Sequence, residues 1–451
     1  MAKKIVVKNG RVVFGAGVID ADIMINNGVI DEIATGIDIN PDYTVIDADR
    51  KYVLPGIIDA HVHPQYVDGF ESLSECAAYG GITTLIHYVY VKKGDDFIEK
   101  VEGAIAEGNA VSHLDFALHV SLQDVENQVM YIKDAVDRGI TSFKMFMPFS
   151  QRGMSVPDSL LIAAMDEIGK CGGVSMVHAE SSACEYLEKN LIEANCTSPK
   201  DYPGSRPNIL EAEAVSRAII LADAVSCPIY MVHLSARESL AVVNKARYNG
   251  QAVYTETCPH YLTLTEDIFE KLGPLAKCAP PIRSSKDVDA MWTALKNQLI
   301  DVVASDHAGY TKAKKQFENV FETPFGIPGS ETMLTLIHEE GINKKKIDYP
   351  KLVKLLAENP AKIFGMYPRK GTLQVGSDAD MVIIDPHKSV TISEDNLHGN
   401  SDFSLYDGWR CTGEPVLTMQ QGKIVFDNGK LCSQPGDGGF MKSKKFDHPI
   451  L

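Results

Sequence analysis

At 451 residues, 45% hydrophobic and 23% charged, the chain has room for one large domain and a smaller one, with the balance of a soluble globular protein. A formal net charge of -16 argues against nucleic acid as a partner, because phosphate backbones are met by basic faces. Nine cysteines, odd in number and without CxxC spacing, exclude a zinc finger and fit reduced thiols in the cytoplasm better than a disulfide framework.

The opening MAKKIVVKNG carries two lysines, but Lys8, Asn9 and Gly10 break the apolar stretch before a signal-peptide core forms. No run approaches the roughly 20 apolar residues of a membrane span, so no membrane partner is expected. Residues 1 to 52 read as short strands punctuated by Asn-Gly turns of the hairpin type. From 53 to 370, strand-like apolar runs alternate with amphipathic helical stretches such as DDFIEKVEGAIAEGNA and EAEAVSRAIILADAV. The strand runs are LPGIIDAHVH, TTLIHYVY, DFALHVSL, SFKMFM, GVSMVHAE, CPIYMVHLS, AVYTETCPHYL and IDVVASDHA. Their number is that of a (β/α)8 TIM barrel. Short β segments return from 371 to 451, in GTLQVGSDADMVIID and PVLTMQQGKIVFDNGKL. The expected fold class is therefore α/β, a TIM barrel over 53–370 with a second, smaller β-sandwich domain built from 1–52 and 371–451. The tail QPGDGGFMKSKKFDHPIL has no periodicity and is expected on the surface or across a subunit contact.

In such a barrel, functional side chains sit at the C-terminal ends of the strands. Those ends carry His61 and His63, which the two-residue period of a strand puts on one face, then Lys144, His178, His233 and Asp306. Alone, each has a plainer explanation. A buried histidine is more often a core residue than a ligand, a lysine snorkels, and a strand-end aspartate caps. Six such coincidences at matching strand ends are better explained by a metal centre. An ammonium beside cations is repelled, and desolvation lowers a lysine pKa further. Neutral Lys144 could then take up carbon dioxide and, as a carbamate, bridge two divalent ions. His61, His63 and Asp306 would hold one ion and His178 and His233 the other, with zinc favoured and manganese possible. A hydroxide between two such ions forms near neutral pH and attacks a carbonyl, while Asp306 as catalytic base and acid moves the proton. This chemistry suits hydrolysis of an amide, an imide or a related carbonyl–nitrogen bond.

The motifs PGIIDAHVH, GGITT, SFKMFM, MVHAE, TCPHYL, APPIR, SDHAG, ENPAKIFG and GTLQVGSDADMVIID together resemble, in that order, the hydantoinase and dihydropyrimidinase group of cyclic amidohydrolases. The resemblance implies a barrel plus β-sandwich, a binuclear zinc site with a carboxylated lysine, ring-opening hydrolysis of a small cyclic amide, and a homotetramer or homodimer. It assigns the ligands to His61, His63, Lys144, His178, His233 and Asp306. Its substrate positions are altered. Phe149 stands where dihydropyrimidinases have an oxyanion-binding tyrosine, leaving Ser150, Arg152 or the metal to take that role. Ala279 replaces the serine of Ser-Pro-Pro, and Phe325 replaces the asparagine often found before Gly-x-Pro-Gly. With a short loop after the first strand and two phenylalanines in the pocket, a hydantoinase-like enzyme of 5-substituted rings is expected over a strict dihydropyrimidinase.

Three alternatives compete. An allantoinase is one, because ETCPHYL and LAKCAPPIR resemble the segments of that group closely. A mononuclear deaminase on the same barrel would leave Lys144 unmodified, and a catalytically silent dihydropyrimidinase-like scaffold would not require the complete ligand set. A dihydroorotase is disfavoured, because Pro64 and Gln65 follow His63 in place of a carboxylate-binding arginine. His87, His119, His260 and His307 are assigned to structure or to support of the ligands.

Overall fold

The computed structural model describes residues 4–446. The N-terminal segment forms β1 (Ile5–Phe14), β2 (Gly17–Asn26), β3 (Val29–Ala34), β4 (Thr44–Asp47) and β5 (Tyr52–Pro55). Eight parallel strands follow: β6 (Ile57–Val62), β7 (Ile82–Val91), β8 (Asp115–Leu122), β9 (Ser142–Phe146), β10 (Val174–His178), β11 (Ile229–Met231), β12 (Val253–Thr257) and β13 (Val302–Val303). They pair in sequence order, and each contains or overlaps one of the eight runs expected to be strands. The open edges meet where Val62 bridges to His307 and His63 N donates to His307 O at 2.9 Å. Buried Asp59 fastens this seam by accepting from Ser305 N at 3.0 Å and from the hydroxyls of Ser305 and Ser330 at 2.5 and 2.7 Å.

Alternation fills the barrel with Ile58, Ala60, Ile86, Tyr88, Ala117, Met176, Tyr230 and Tyr254, a packed interior without a channel. On β6 the pairing with β7 shifts between Asp59 and Val62. This irregularity changes the parity of the strand, so His61 and His63 turn toward the face that Ile58 and Ala60 occupy below them. Helix Asp158–Lys170 is amphipathic and buries Leu161, Ala164, Met165 and Ile168 against the strands, whereas Asn208–Ala224 departs from the amphipathic expectation by burying Glu211 and exposing Ile209 and Ile220. Two other segments depart from expectation. AVYTETCPHYL is a strand only to Thr257, because Pro259 opens a short helix, Pro259–Thr263, where a missing N–H costs nothing. The helical run from Val125 is split into Val125–Gln128, a 3-10 turn at Val129–Tyr131, and Ile132–Asp137.

After the barrel come β14 (Met381–Thr391), β15 (Arg410–Gln420), β16 (Lys423–Asp427) and β17 (Lys430–Leu431). They join the N-terminal strands in one mixed sheet, ordered β17-β16-β15-β14-β5-β1-β2-β3 with β4 beside β1. Val7, Val12, Ile23, Ile25, Val53, Met381, Ile383 and Met419 pack there in one core, so both ends of the chain build the smaller domain. Only Gly56 separates its strand β5 from barrel strand β6. The tail crosses the N-terminal end of the barrel, where Met441 N donates to Phe116 O at 2.7 Å and Ser443 N to Gly139 O at 2.8 Å. Met441 is buried there among the interior residues. Residues 447–451 of the tail motif lie outside the described residues.

Candidate metal centre

His61, His63, Lys144, His178, His233 and Asp306 line one cavity at the C-terminal ends of the strands, with Tyr66, Phe149, Arg152, Ala279 and Phe325 around its mouth. His61 comes from the end of β6 and His63 from just beyond it, Lys144 from β9 and His178 from the end of β10. His233 lies just beyond β11 and Asp306 beyond β13. Phe149, His233 and Asp306 have φ of 71°, 38° and 51°, left-handed values that side chains with a Cβ seldom adopt. Such strain gathers where surrounding packing fixes a functional geometry. For His233 it turns inward a side chain that regular alternation after Tyr230 and Val232 would send outward.

Three histidines have one ring nitrogen held from outside the cluster. His61 Nδ1 lies 2.6 Å from Glu256 Oε1, His63 Nδ1 2.8 Å from Tyr90 Oη, and His178 Nε2 2.7 Å from Glu180 Oε2. Their other nitrogens are thereby free to face the cluster, an arrangement that fixes tautomer and ring orientation in metal sites. His63 Nε2 and His61 Nε2 both approach Asp306 Oδ1, at 3.0 and 3.1 Å. The His61 contact lacks hydrogen-bond geometry, and His61 Nε2 and His233 Nδ1 are buried without a hydrogen-bond partner among the described residues. One ligand atom each from His61, His233 and Asp306 lies within 4.8 Å of the others. The rings of His178 and His233 are 4.5 Å apart, which brings the fourth imidazole to the same centre. Orphaned imidazole nitrogens facing a carboxylate are a poor arrangement for a core and a fitting one for a divalent cation.

The electrostatics agree. Burial disfavours a charge on His61, yet the Glu256 and Asp306 carboxylates outweigh it and raise its pKa to about 9. For His63 burial wins, and the pKa falls to about 4. Burial also opposes the charge on Asp306, but His61 and the hydrogen bond from His63 hold its pKa well below the usual carboxylate range. The cluster thus keeps an anion and attracts positive charge. Lys144, fully buried between Tyr88 and Phe146, makes no hydrogen bond or ion pair among the described residues. Burial draws its pKa down to about 8, against the pull of Asp306 and Glu256.

The expected substrate residues fare differently. Phe149 lies against His178 at 5.1 Å and Phe325 at 5.4 Å between ring centroids, forming an aromatic wall. Ala279 contributes to the cavity, its peptide with Pro280 being cis. Ser150 is turned away: its amide donates to Glu185 Oε1 at 2.7 Å and its hydroxyl to Glu185 Oε2. Of the remaining histidines, His119 is spent on Ser142 and the Ala60 carbonyl and His307 on Asp68. His87 is wedged against Phe70 at 4.4 Å, both ring nitrogens unpartnered among the described residues. Sequence reasoning missed Glu256, Tyr90, Glu180 and Arg206, whose guanidinium pairs with Glu180 at 2.8 Å. Glu180, two residues after His178, was the most accessible of these, since an acid near a ligand histidine is a natural orienter.

A family model described as "Amidohydrolase family" matches residues 52–425. A D-hydantoinase of Ralstonia pickettii is 37% identical over 98% of this chain and 99% of its own length. An L-hydantoinase of Paenarthrobacter aurescens is 35% identical over the same shares. The crystal structure of a dihydropyrimidinase from Brevibacillus agri superposes with a TM-score of 0.95 at 31% identity, covering 99% of this chain and all of that one. With a full-length match of this kind added to the geometry of the strand ends, the chain belongs to the amidohydrolase family, among its hydantoinase-type members.

Proposed function

We propose that the protein is a metal-dependent hydrolase that opens a cyclic amide, imide or ureide ring of hydantoin or dihydropyrimidine type. The observation that carries this reading is the convergence of four histidines, a buried lysine and an aspartate on one cavity, with two imidazole nitrogens left unpartnered among the described residues. His61, His63 and Asp306 would hold one divalent ion, His178 and His233 the second, and Lys144 as its carbamate would join them. Zinc suits this nitrogen and oxygen set, and manganese is the alternative. When bound, two ions in this position supply a nucleophile at neutral pH and polarise the scissile carbonyl.

The chain's own groups do the rest. Asp306 Oδ1, already close to His61 and His63, takes the proton released by the attacking water and delivers it to the leaving ring nitrogen. Glu256, Tyr90 and Glu180 keep the imidazoles turned inward. The Phe149–Phe325 wall excludes water and receives the ring substituent. That apolar wall supports a substituted hydantoin over an unsubstituted dihydropyrimidine. We further propose a cytoplasmic enzyme, in keeping with nine free cysteines, that assembles as a homotetramer or homodimer. Exposed Val18, Ile19, Val29 and Val45 on the terminal sheet offer apolar surface for assembly. No helix among the described residues is long and apolar enough to cross a membrane.

A single panel tests the activity. Zinc-loaded protein should open 5-phenylhydantoin faster than dihydrouracil, with allantoin and dihydroorotate slower still. Lys144→Ala should lose bound zinc together with activity and recover part of both with short carboxylic acids. Full turnover by that variant, without added acid, would refute the bridging role.

A further inference from the structure

The cavity has one charged wall that the hydrolytic machinery does not use. Of the side chains lining it, Lys144 and Asp306 belong to the metal centre, and the remaining ionic group is the guanidinium of Arg152. Arg152 follows Phe149 on the turn after β9, in the 3-10 segment Ser150–Arg152. Its guanidinium lies over the ring of Phe325, 4.5 Å from the centroid, and 5.8 Å from that of Phe149. The neighbouring cations are already satisfied. Arg206 is paired with Glu180 at 2.8 Å and reaches Glu188 at 3.9 Å, and Lys277 donates to the carbonyls of Val320, Phe321 and Thr323. The nearby acid Glu185 is taken by Ser150. Among the described residues Arg152 makes no ion pair and no side-chain hydrogen bond. The contact with Phe325 holds the guanidinium beside the wall, and no described side chain takes its N–H donors, in a chain whose net charge is -16.

A fork of unpaired donors beside an apolar wall fits a substrate with two parts. The ring sits over the ligands, and its substituent runs along Phe149 and Phe325 to end in a group that accepts two parallel hydrogen bonds. We infer that Arg152 selects cyclic amides whose ring substituent ends in a carboxylate. A single guanidinium suits a monoanion better than a phosphate dianion, which is usually met by several donors. The inference rests on the ring-hydrolase reading and narrows its substrate class.

Binding and turnover separate the two. Calorimetry on the metal-free full chain, where no turnover competes, would compare 5-(2-carboxyethyl)hydantoin with 5-propylhydantoin, and the same pair would be offered to the zinc-loaded chain for hydrolysis. The expected result is about tenfold or greater preference in Kd for the carboxylate ring, the range of a charge-assisted hydrogen bond. Arg152→Gln should bring that ratio to about one by weakening the carboxylate ring alone, and Arg152→Glu should invert it. The guanidinium is exposed and its loss orphans no buried group, so both variants should fold. Equal binding of the two rings by the wild-type chain, or a preference that survives Arg152→Gln, overturns the inference. So does an equal fall in kcat on both rings, which would make Arg152 a stabiliser of reaction charge. Failure to open either ring would instead count against the hydrolase reading, with the substituent preference still decided by the Kd values.

Discussion

Lys144 is buried against two aromatic rings, and the pKa of about 8 that follows has a kinetic consequence. The amine, not the ammonium, attacks carbon dioxide, and below its pKa the amine fraction rises tenfold per pH unit. A lysine of ordinary pKa would continue that rise past pH 10. In this protein it should bend over near pH 8, because burial has already removed much of the preference for the charged form. Metal-free protein given zinc at constant dissolved carbon dioxide should therefore regain activity about tenfold faster per unit up to pH 8, then level off. A profile still climbing steeply at pH 9, or flat from pH 6, would contradict this. At this scale the six residues of the proposed site were legible because the strand-end rule gathers them, although His61 and His63 face the cavity only through a shifted pairing and His233 only through a left-handed turn. Glu256 was not. It sits in a run that reads as ordinary strand, and its value comes from reaching His61 Nδ1, Tyr230 and the His233 amide at once, which only the closed barrel brings together.

The segment after β13 shows what an element can hide from its sequence. Residues 312–326 carry Phe325 to the cavity with little regular structure, and two buried lysines hold them there. Lys277 Nζ donates to Val320, Phe321 and Thr323 at 2.8, 3.1 and 2.6 Å, while Lys315 Nζ donates to Lys277 O at 2.8 Å and Gly326 O at 2.5 Å. Burial presses both pKa values down to about 7, but three carbonyls around Lys277 call for the three donors of an ammonium. Lys315→Met keeps the aliphatic stem and strands the buried Gly326 carbonyl at about 1–3 kcal/mol, partly offset by no longer burying a charge, while Lys277 O keeps the Gly326 amide at 3.1 Å. A net loss of about 1 kcal/mol should appear in urea denaturation. A raised KM should accompany it, because Phe325 loses its anchor. An unchanged midpoint with unchanged KM would show that the loop holds itself. Strands and long helices were readable from period alone. This loop was not, since lysines in KAKKQ read as a solvated charge run until the fold buries one of them.

At the scale of the whole molecule, the barrel is closed from below by residues 436–446 of its own tail. Successive backbone amides of the tail reach Ser112, Phe116, Gly139, Gly365 and Gly172, each at the N-terminal edge of the barrel, and Phe440 packs on Phe116. A tail without periodicity gave no sign of this, because its pairing uses backbone groups and its partners lie up to hundreds of residues away. The crossing depends on glycine at its first contact. A Cβ on Gly438 would stand 1.9 Å from Leu114 O, closer than any real contact, and that carbonyl belongs to backbone that cannot yield without moving β8. Gly438→Ala should therefore detach the tail, expose Met441 and the interior residues around it, and lower Tm by several degrees. The C-terminus should become open to limited proteolysis. Gly17→Ala, where a Cβ meets open space, should change neither. Because the tail packs at the end opposite the proposed ligands, kcat/KM per folded molecule should stay within about twofold of the parent. A variant with unaltered Tm and a protected C-terminus would mean that the tail is laid on the barrel and does not close it.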